Sequence, residues 1–208
     1  PMLTARTYVG TAVLDGKLYA AGGWASGATS NLLERYDLAA KSWEAVAPMA
    51  TPRETHAVAV LDGKLYAVGG FNEDDDYLSS VERYDPALDA WEAVVPMAAA
   101  RDYHAVAVLD GKLYAVGGYG LSSVERYDPA TNAWEAVAPM ATARQTHAVA
   151  VLDGKLYAVG GFDSDGASLS SVDRYDPALG AWEEVAPMAT ARVNPAAAVL
   201  DGKLYAVG

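Results

Sequence analysis

Several kinds of residue and segment are scarce or missing in this chain of 208 residues. Cysteine does not occur, which excludes disulfides, thiolate metal sites and a cysteine nucleophile. Only 15 Lys and Arg face 27 Asp and Glu, for a formal net charge of −12, so binding to nucleic acid is disfavoured by repulsion from phosphates. No apolar run approaches the ~20 residues of a membrane span, and no signal peptide follows Pro1. We therefore expect a soluble protein away from membranes, with a slight preference for the cytoplasm.

Internal repetition, in contrast, dominates the chain. The segment LDGKLYA begins five times, and the fifteen residues HAVAVLDGKLYAVGG recur unchanged at 56–70, 104–118 and 147–161. Such periodicity is the signature of a repeat architecture. We expect one domain over residues 1–208, divided into four complete repeats and a partial fifth: 1–47, 48–95, 96–138, 139–186 and 187–208.

One copy of the repeat predicts four short strands. Residues 56–61 and 64–68 are apolar and flank Asp62-Gly63, a strong signal for a hairpin with a type I′ turn. Residues 81–85 alternate apolar and polar side chains, and residues 91–94 form the fourth predicted strand. No stretch has helical periodicity with caps, so the protein is predicted to be all-β. Because one sheet cannot bury both faces alone, stacked copies around an axis, as in a β-propeller, are expected.

The repeated Gly-Gly doublet, the spaced Tyr and Trp, and the segment Pro-Met-x-x-x-Arg resemble kelch repeats. Residues 121–144, LSSVERYDPATNAWEAVAPMATAR, are similar to the kelch domains of BTB-kelch substrate adaptors. The resemblance covers the whole chain and implies a kelch-type β-propeller of four-stranded antiparallel blades, with strands a (innermost) to d. The Tyr and Trp of each copy are expected to pack between blades. The near-identity of the copies suggests consensus engineering or recent duplication.

The partial fifth repeat leaves the number of blades open. It contains only strands a and b, and kelch propellers usually have six or seven blades. Three interpretations remain: a piece of a larger, most plausibly six-bladed ring, a closed five-bladed ring, or assembly with a second chain. An open sheet edge favours pairing with another strand, so self-association through the incomplete blade is one expectation.

Variation between copies is concentrated in two loops. One follows Gly-Gly and links strands b and c, at 24–29, 71–77, 119–120 and 162–168; the other follows the Pro-Met-x-x-x-Arg arginine and links strands d and a. Because the strands of a blade alternate in direction, the b–c and d–a loops emerge on the same face. In the adaptors that this chain resembles, these two sets of loops form the ligand-binding face. Variable loops on a rigid scaffold commonly carry binding. The predicted ligand-binding residues are Tyr8, Trp24, Glu54, Phe71, Asn72, Glu73, Asp74, Asp75, Asp76, Tyr77, Asp102, Tyr103, Tyr119, Gln145, Phe162, Asp163, Ser164, Asp165 and Asn194.

The charges of these loops indicate the chemistry of a ligand. The loops contain acidic and aromatic residues but no Lys or Arg, and the Pro-Met-x-x-x-Arg arginines are expected nearby, where they would offset part of the negative field. A protein or peptide segment rich in Arg or Lys is therefore the favoured partner. The alternative is that the acids only keep the loop tips soluble.

Other clusters are better explained by structure than by chemistry. His56, His104 and His147 occupy equivalent positions, but adjacent sheets lie too far apart for one ion to bind them all. The acids at 74–76 and 163–166 lack a calcium-loop spacing and predict polar turns. Arg35 with Asp37 recurs in every copy, which predicts an ion pair between strands or within a turn. No catalytic residue, metal or cofactor is expected.

The sequence thus predicts a non-enzymatic protein- or peptide-binding module that uses the face formed by the b–c and d–a loops. Two alternatives stay open. One is a structural or engineered scaffold without a dedicated ligand. The other is a carbohydrate-binding or carbohydrate-active propeller, because Trp24, Phe71, Tyr119 and Phe162 would also suit stacking on sugars. Copper-radical chemistry, known in some kelch proteins, needs a Tyr–Cys crosslink and is excluded here.

Overall fold

The computed structural model describes residues 1–74 and 76–208, and every regular element within them is a β-strand. The chain divides into two compact units, Pro1–Asp102 (unit 1) and Tyr103–Gly208 (unit 2). Within the described residues there is no helix with the length and apolarity that crossing a membrane requires. The all-β prediction is confirmed.

Unit 1 contains two four-stranded antiparallel sheets and two short hairpins. The first sheet has the order β1-β2-β5-β6 and the second β7-β8-β11-β12, while β3 pairs with β4 and β9 with β10. The strands are β1 Gly10–Leu14, β2 Lys17–Ala21, β3 Trp24–Ala25, β4 Ala28–Thr29, β5 Leu33–Asp37, β6 Ser42–Val46, β7 Ala57–Leu61, β8 Lys64–Val68, β9 Phe71–Asn72, β10 Asp76–Tyr77, β11 Val81–Asp85 and β12 Ala90–Val94.

Unit 2 contains two further four-stranded antiparallel sheets and a two-stranded one. Their orders are β13-β14-β15-β16, β17-β18-β19-β20 and β21-β22. The strands are β13 Ala105–Leu109, β14 Lys112–Val116, β15 Val124–Asp128, β16 Ala133–Val137, β17 Ala148–Leu152, β18 Lys155–Val159, β19 Val172–Asp176, β20 Ala181–Val185, β21 Ala196–Leu200 and β22 Lys203–Val207.

The turn between the first two strands of each sheet follows the Asp-Gly signal. Asp62 and Gly63 have φ values of 51° and 69°, as a type I′ turn requires at both central positions. This turn sets the register in which Leu61 pairs with Lys64. Each predicted strand is present, although the first begins one residue later than expected and the fourth one residue earlier, at Ala90.

The repeated aromatic residues hold neighbouring sheets together within each unit. In unit 1 the ring of Tyr84 lies 6.0 Å from that of Tyr19 and 5.3 Å from that of Trp91. The indole N–H of Trp91 donates to the carbonyl of Ala47 on the preceding sheet, at 2.9 Å. Trp182 donates in the same way to Ala138 in unit 2. The expected packing of Tyr and Trp between sheets is confirmed, and it gives the loops a rigid base.

Candidate functional site

In the sheets that begin with β1, β7 and β17, a buried arginine side chain anchors the d–a loop to the b–c connection. Arg53 is fully buried and donates from Nη1 to the carbonyl of Gly69 at 2.7 Å and from Nη2 to Glu82 Oε1 at 2.8 Å. Glu82 also accepts the backbone N–H groups of Ala50 and Thr51. Arg6 with Glu34, and Arg144 with Asp173, form the equivalent ion pairs.

This pairing corrects one expectation from the sequence. Arg6, Arg53 and Arg144 were expected to weaken the negative field of the loops, but each already has a carboxylate partner on a neighbouring strand. A paired charge projects mainly a dipole, whose field decays faster than that of an isolated charge. The loop acids are therefore compensated less than the sequence suggested.

The second glycine of the doublet brings the two variable loops into contact. Gly70 has φ 97°, and a Cβ there would lie 2.5 Å from the carbonyl oxygen of Glu54, so no side chain fits. This close approach allows Glu54 and Phe71 to exchange two backbone hydrogen bonds, of 3.0 and 2.9 Å. The pairs Thr7–Trp24 and Gln145–Phe162 form the same bridge. Within each of these three sheets, the b–c and d–a loops thus lie side by side, as strand parity predicts.

The next residue of the d–a loop adopts a left-handed backbone at every repeat. Thr55 has φ 52°, and its hydroxyl donates a hydrogen bond to the carboxylate of Asp102. In unit 2, the N–H of Thr146 donates to the carbonyl of Tyr103, and the N–H of Asn194 to that of Thr146, each at 2.9 Å. Positive φ is uncommon for residues other than glycine, and here it turns consecutive loops toward each other.

In unit 1 the predicted site residues separate into exposed and buried groups. Trp24, Glu54 and Phe71 are half-buried, whereas Asn72 and Asp102 are buried and serve mainly to hold the loops. Asn72 Oδ1 accepts the N–H of Asp74 at 3.1 Å. Asp75 lies outside the described residues. The exposed members of the predicted set are Tyr8, Glu73, Asp74, Asp76 and Tyr77.

An acidic and aromatic cluster forms around Glu54. Burial, followed by the charges of Asp102 and Glu73, raises the pKa of the Glu54 carboxyl. The rings of Phe71 and Tyr77 meet edge to face with centroids 6.1 Å apart. We call these five residues the unit 1 loop cluster. A carboxylate held beside two others is stabilised by any cation placed among them.

Unit 2 presents a smaller set of loop residues. Tyr103, Gln145, Phe162 and Asp163 are half-buried. Asp163 Oδ1 accepts the N–H groups of Asp165 and Ala167, at 2.9 and 2.8 Å, so this carboxylate shapes the polar turn that the sequence predicts. The exposed members are Tyr119, Ser164, Asp165 and Asn194.

The recurring histidines belong to the scaffold. His56 and His147 are buried, and burial lowers the pKa of each imidazole to about 3, with smaller effects from nearby arginines. A Cβ at Gly22 would lie 2.6 Å from the His56 ring, so the imidazole packs directly on the glycine of the neighbouring sheet. Among residues 1–74 and 76–208, no group of three acids or histidines is arranged to hold a metal.

The recurring Arg-Tyr-Asp segment forms ion pairs between strands, which is one of the two arrangements that the sequence predicts. Arg35 pairs with Glu44 on the adjacent strand β6 at 2.8 Å, and Asp37 pairs with Lys17 at 3.1 Å. Glu44 stands directly opposite Arg35 in the register of β5 and β6, so the two side chains lie on the same face of the sheet and within reach of each other.

Sequence reasoning missed the acids that bind the buried arginines. Glu34, Glu82 and Asp173 precede the Arg of Arg-Tyr-Asp by one position in their copies, and all three are buried. The signal that could have found them is an acid on the buried face of an alternating strand, since such an acid needs a cationic partner. The repetition of these acids in every copy indicated only a structural role and not which cation they bind.

Comparison with known proteins identifies the architecture. A family model described as the KLHDC2/KLHL20/DRC7 Kelch-repeats domain matches residues 1–118, and one described as the Kelch motif matches residues 100–141 and 143–189. The chain belongs to the kelch-repeat family. The solved structure of YjhT is similar over 98% of this chain and 72% of that chain, with a TM-score of 0.84 and 19% identity. At that identity the likeness shows the fold alone. No curated protein matches the chain.

The kelch assignment confirms the resemblance drawn from the repeated motifs. The protein is an all-β kelch-type propeller built from four-stranded antiparallel blades. Kelch-repeat domains in general mediate protein interactions, and the family supports a protein-interaction module in this broad sense. Fold and family do not specify the ligand.

Proposed function

We propose that this kelch protein is a non-enzymatic module that binds a cationic peptide segment on the face formed by its b–c and d–a loops. The observation that carries the proposal is the cluster itself, in which the Glu54 carboxyl lies within the field of Asp102 and Glu73 beside the rings of Phe71 and Tyr77; burial and these two charges also raise the pKa of Glu54. A half-buried carboxylate beside two others is an unfavourable arrangement in the free protein. A guanidinium or ammonium placed among them would relieve it.

The surrounding side chains support the same ligand class. Phe71 and Tyr77 stand edge to face beside the acids, and aromatic faces attract Arg and Lys. The loops themselves contain no base, and Arg53 below them is engaged by Glu82. We therefore assign ligand contact to Glu54, Glu73, Phe71 and Tyr77, with Asp102 contributing its charge from a buried position.

The other predictions about function stay predictions. In unit 2, the exposed Tyr119 and the half-buried Phe162 suit a peptide anchor and a sugar-stacking platform equally. The single-domain organisation over 1–208 and the absence of catalysis belong to the same proposal. Self-association through the partial fifth repeat concerns the edge of β22 and is independent of the loop face.

The test is a titration of the 208-residue chain with a fluorescein-labelled peptide, Gly-Arg-Tyr-Lys-Gly-Arg, followed by fluorescence anisotropy. The comparison peptide replaces Arg by citrulline and Lys by acetyl-lysine. We expect saturable binding of the charged peptide alone, weakening as salt rises from 50 to 300 mM, because exposed charges are screened within about 10 Å near 0.1 M salt. Equal binding of both peptides, or binding insensitive to salt, would exclude the cationic assignment.

A charge-matched pair of variants locates the binding face. The double variant Glu54→Gln, Glu73→Gln removes two loop charges, each worth about 0.2–1 kcal/mol in a partly exposed ion pair, so affinity should fall roughly fivefold. The control Asp15→Asn, Asp62→Asn removes two charges from exposed Asp-Gly turns at the other end of strands β2 and β8. Asn tolerates the positive φ of these positions. If the control weakens binding as much as the loop variant, the peptide binds by net charge and not at the loops.

A further inference from the structure

The fourth sheet, formed by β17, β18, β19 and β20, departs from the repeat at one pair of facing residues. In the first three sheets a Glu on the third strand stands opposite an Ala on the fourth strand, as Glu82 stands opposite Ala93. In the fourth sheet Asp173 stands opposite Glu184. This sheet therefore has a shorter acid on its third strand and an additional carboxylate on its fourth.

The shorter acid leaves hydrogen-bonding groups unsatisfied. Glu82 binds its arginine and also accepts two backbone N–H groups of the preceding loop. Asp173 lacks one methylene and binds only Nε and Nη2 of Arg144, at 3.2 and 2.9 Å, both through Oδ2. The equivalent N–H groups, those of Ala141 and Thr142, have no acceptor within the part of the chain that the structure describes. Oδ1 of Asp173 likewise accepts no hydrogen bond from the described residues, although Asp173 is only 4% exposed.

A cavity of about 230 Å³ borders these unpaired groups. Asp173, Glu184 and Ala141 line it together with Trp182 and Pro139. The indole N–H of Trp182 is already bonded to a backbone carbonyl, so its ring offers a ligand apolar surface and no free donor. Pockets for drug-sized ligands usually measure about 300–1,000 Å³, and a cavity slightly below that range suits a single six-membered ring.

The polar groups of the cavity define the chemical class of its ligand. Glu184 is exposed and forms no ion pair among the described residues, so it would repel an anion. An ammonium or guanidinium group carries donors only and cannot accept the N–H of Ala141. A hydroxyl group both donates and accepts, so two neighbouring hydroxyls would satisfy this N–H, Oδ1 of Asp173 and the Glu184 carboxylate together. The apolar face of a ring that carries them would pack on Trp182.

We propose that this cavity binds one neutral sugar ring, a pyranose with two adjacent hydroxyl groups. One hydroxyl accepts the N–H of Ala141 and donates to Oδ1 of Asp173, while its neighbour donates to Glu184 and the ring packs against Trp182. The site has no residue in common with the unit 1 loop cluster. Failure of the proposed peptide binding would therefore leave this proposal intact, and the reverse also holds.

The experiment titrates the 208-residue chain, isotope-labelled for NMR, with the methyl pyranosides of glucose, galactose and mannose, which differ in the arrangement of their hydroxyls. We expect at least one of them to bind saturably and to shift the indole N–H signal of Trp182. The Kd should be about 1 mM, the scale expected of a ligand with so few atoms. Cyclohexylammonium, a cation with a ring of similar size and no hydroxyl, should bind more weakly.

The repeat itself supplies the variants. Asp173→Glu restores the acid of the other sheets, which keeps the ion pair with Arg144, gives the backbone N–H groups an acceptor and fills the cavity. This variant should bind the sugar roughly tenfold more weakly or worse, while its thermal midpoint stays the same or rises. Conversely, Glu82→Asp combined with Ala93→Glu should create a second site in unit 1, seen as a shift of the indole signal of Trp91 on addition of the sugar.

Two single variants complete the set, and the thermal midpoint of every variant is measured first. Glu184→Ala restores the alanine of the other sheets at an exposed position and should weaken binding roughly fivefold. Glu135→Gln, which removes a charge from an exposed ion pair of the third sheet, should leave the affinity unchanged. The proposal is overturned if none of the three pyranosides binds saturably, if Asp173→Glu or Glu184→Ala binds as well as the unchanged chain, or if cyclohexylammonium binds more tightly than every sugar. A Trp91 signal that stays unmoved in the double variant would also overturn it.

Discussion

The buried pair of Arg53 and Glu82 should stabilise unit 1 far more than an exposed pair on the same strand. Replacing Glu82 by Gln keeps the size of the side chain and removes its charge. Glu82 accepts hydrogen bonds from Arg53 Nη2 at 2.8 Å, from Ala50 N at 2.7 Å and from Thr51 N at 3.0 Å. A Gln has one acceptor oxygen and presents N–H donors to the remaining partners. Arg53 would stay buried without its counter-charge.

The magnitude follows from this geometry. Breaking a buried ion pair by removing one partner typically costs about 3–5 kcal/mol. The matched control is Glu92→Gln. Glu92 forms an ion pair with Arg83, the residue that follows Glu82 on β11, but the Glu92 side chain is 54% exposed. That exposed pair should contribute about 0.2–1 kcal/mol. The difference between the losses of unfolding free energy in the two variants measures how much burial adds to the contribution of the ion pair.

Urea unfolding followed by tryptophan fluorescence measures both variants, and thermal midpoints by circular dichroism give a second estimate. For a chain of this size a loss of about 3 kcal/mol corresponds to a fall of roughly 10 °C. Equal losses for Glu82→Gln and Glu92→Gln would refute the reasoning, since the buried network would then contribute no more than a surface ion pair.

Three further outcomes follow from the structure. Shortening residues 71–77 to Tyr-Gly should move the thermal midpoint by less than about 4 °C. The sheet whose loop is Tyr119-Gly120 has the same backbone hydrogen bonds directly after the loop, from Leu121 N to the Gly118 carbonyl, as this sheet has from Leu78 N to the Gly70 carbonyl. A larger fall would show that the loop stabilises the fold. Glu54→Gln should raise stability at pH 7, where the ionised carboxyl with its raised pKa is disfavoured by the fold, and the gain should vanish as pH falls below the ordinary value of 4.5; a gain independent of pH in urea titrations would contradict this. Trp91→Phe should cost about 1–3 kcal/mol through the lost indole hydrogen bond, and more than Trp43→Phe, whose indole N–H has no hydrogen-bond partner among the described residues; equal unfolding free energies would count against it.

The fold could be predicted from the sequence because its determinants are local and occur several times. Asp62-Gly63 fixes a turn and a register with two residues, and the same pair recurs in every copy. The alternation in Val81–Asp85 gives the strand and its buried face. Repetition then shows which residues are scaffold, so even the packing of Trp91 on the preceding sheet could be anticipated.

The details of the candidate site depend on contacts between residues far apart in the chain. The sequence placed Asn72 and Asp102 among exposed binding residues, but both are buried because the loops fold back on the sheet. Thr55 and Asp102 are 47 residues apart, and no local pattern indicates that they meet. The partner of Arg53 was missed for the same reason, since Glu82 lies 29 residues away.

The ion pairs of the scaffold bear on the proposed recognition of a cationic peptide by the loops. On each complete sheet the Lys and Arg that flank the central strands have acidic partners, such as Lys64 with Asp85 and Arg83 with Glu92. Such pairs contribute little net charge beyond their immediate surroundings, so in unit 1 we expect the acids around Glu54 to dominate the field at the loops. A change in loop residues alone should then change the preferred ligand while the sheets stay intact. This separation explains how identical strands can carry loops of different length and charge without a loss of the fold.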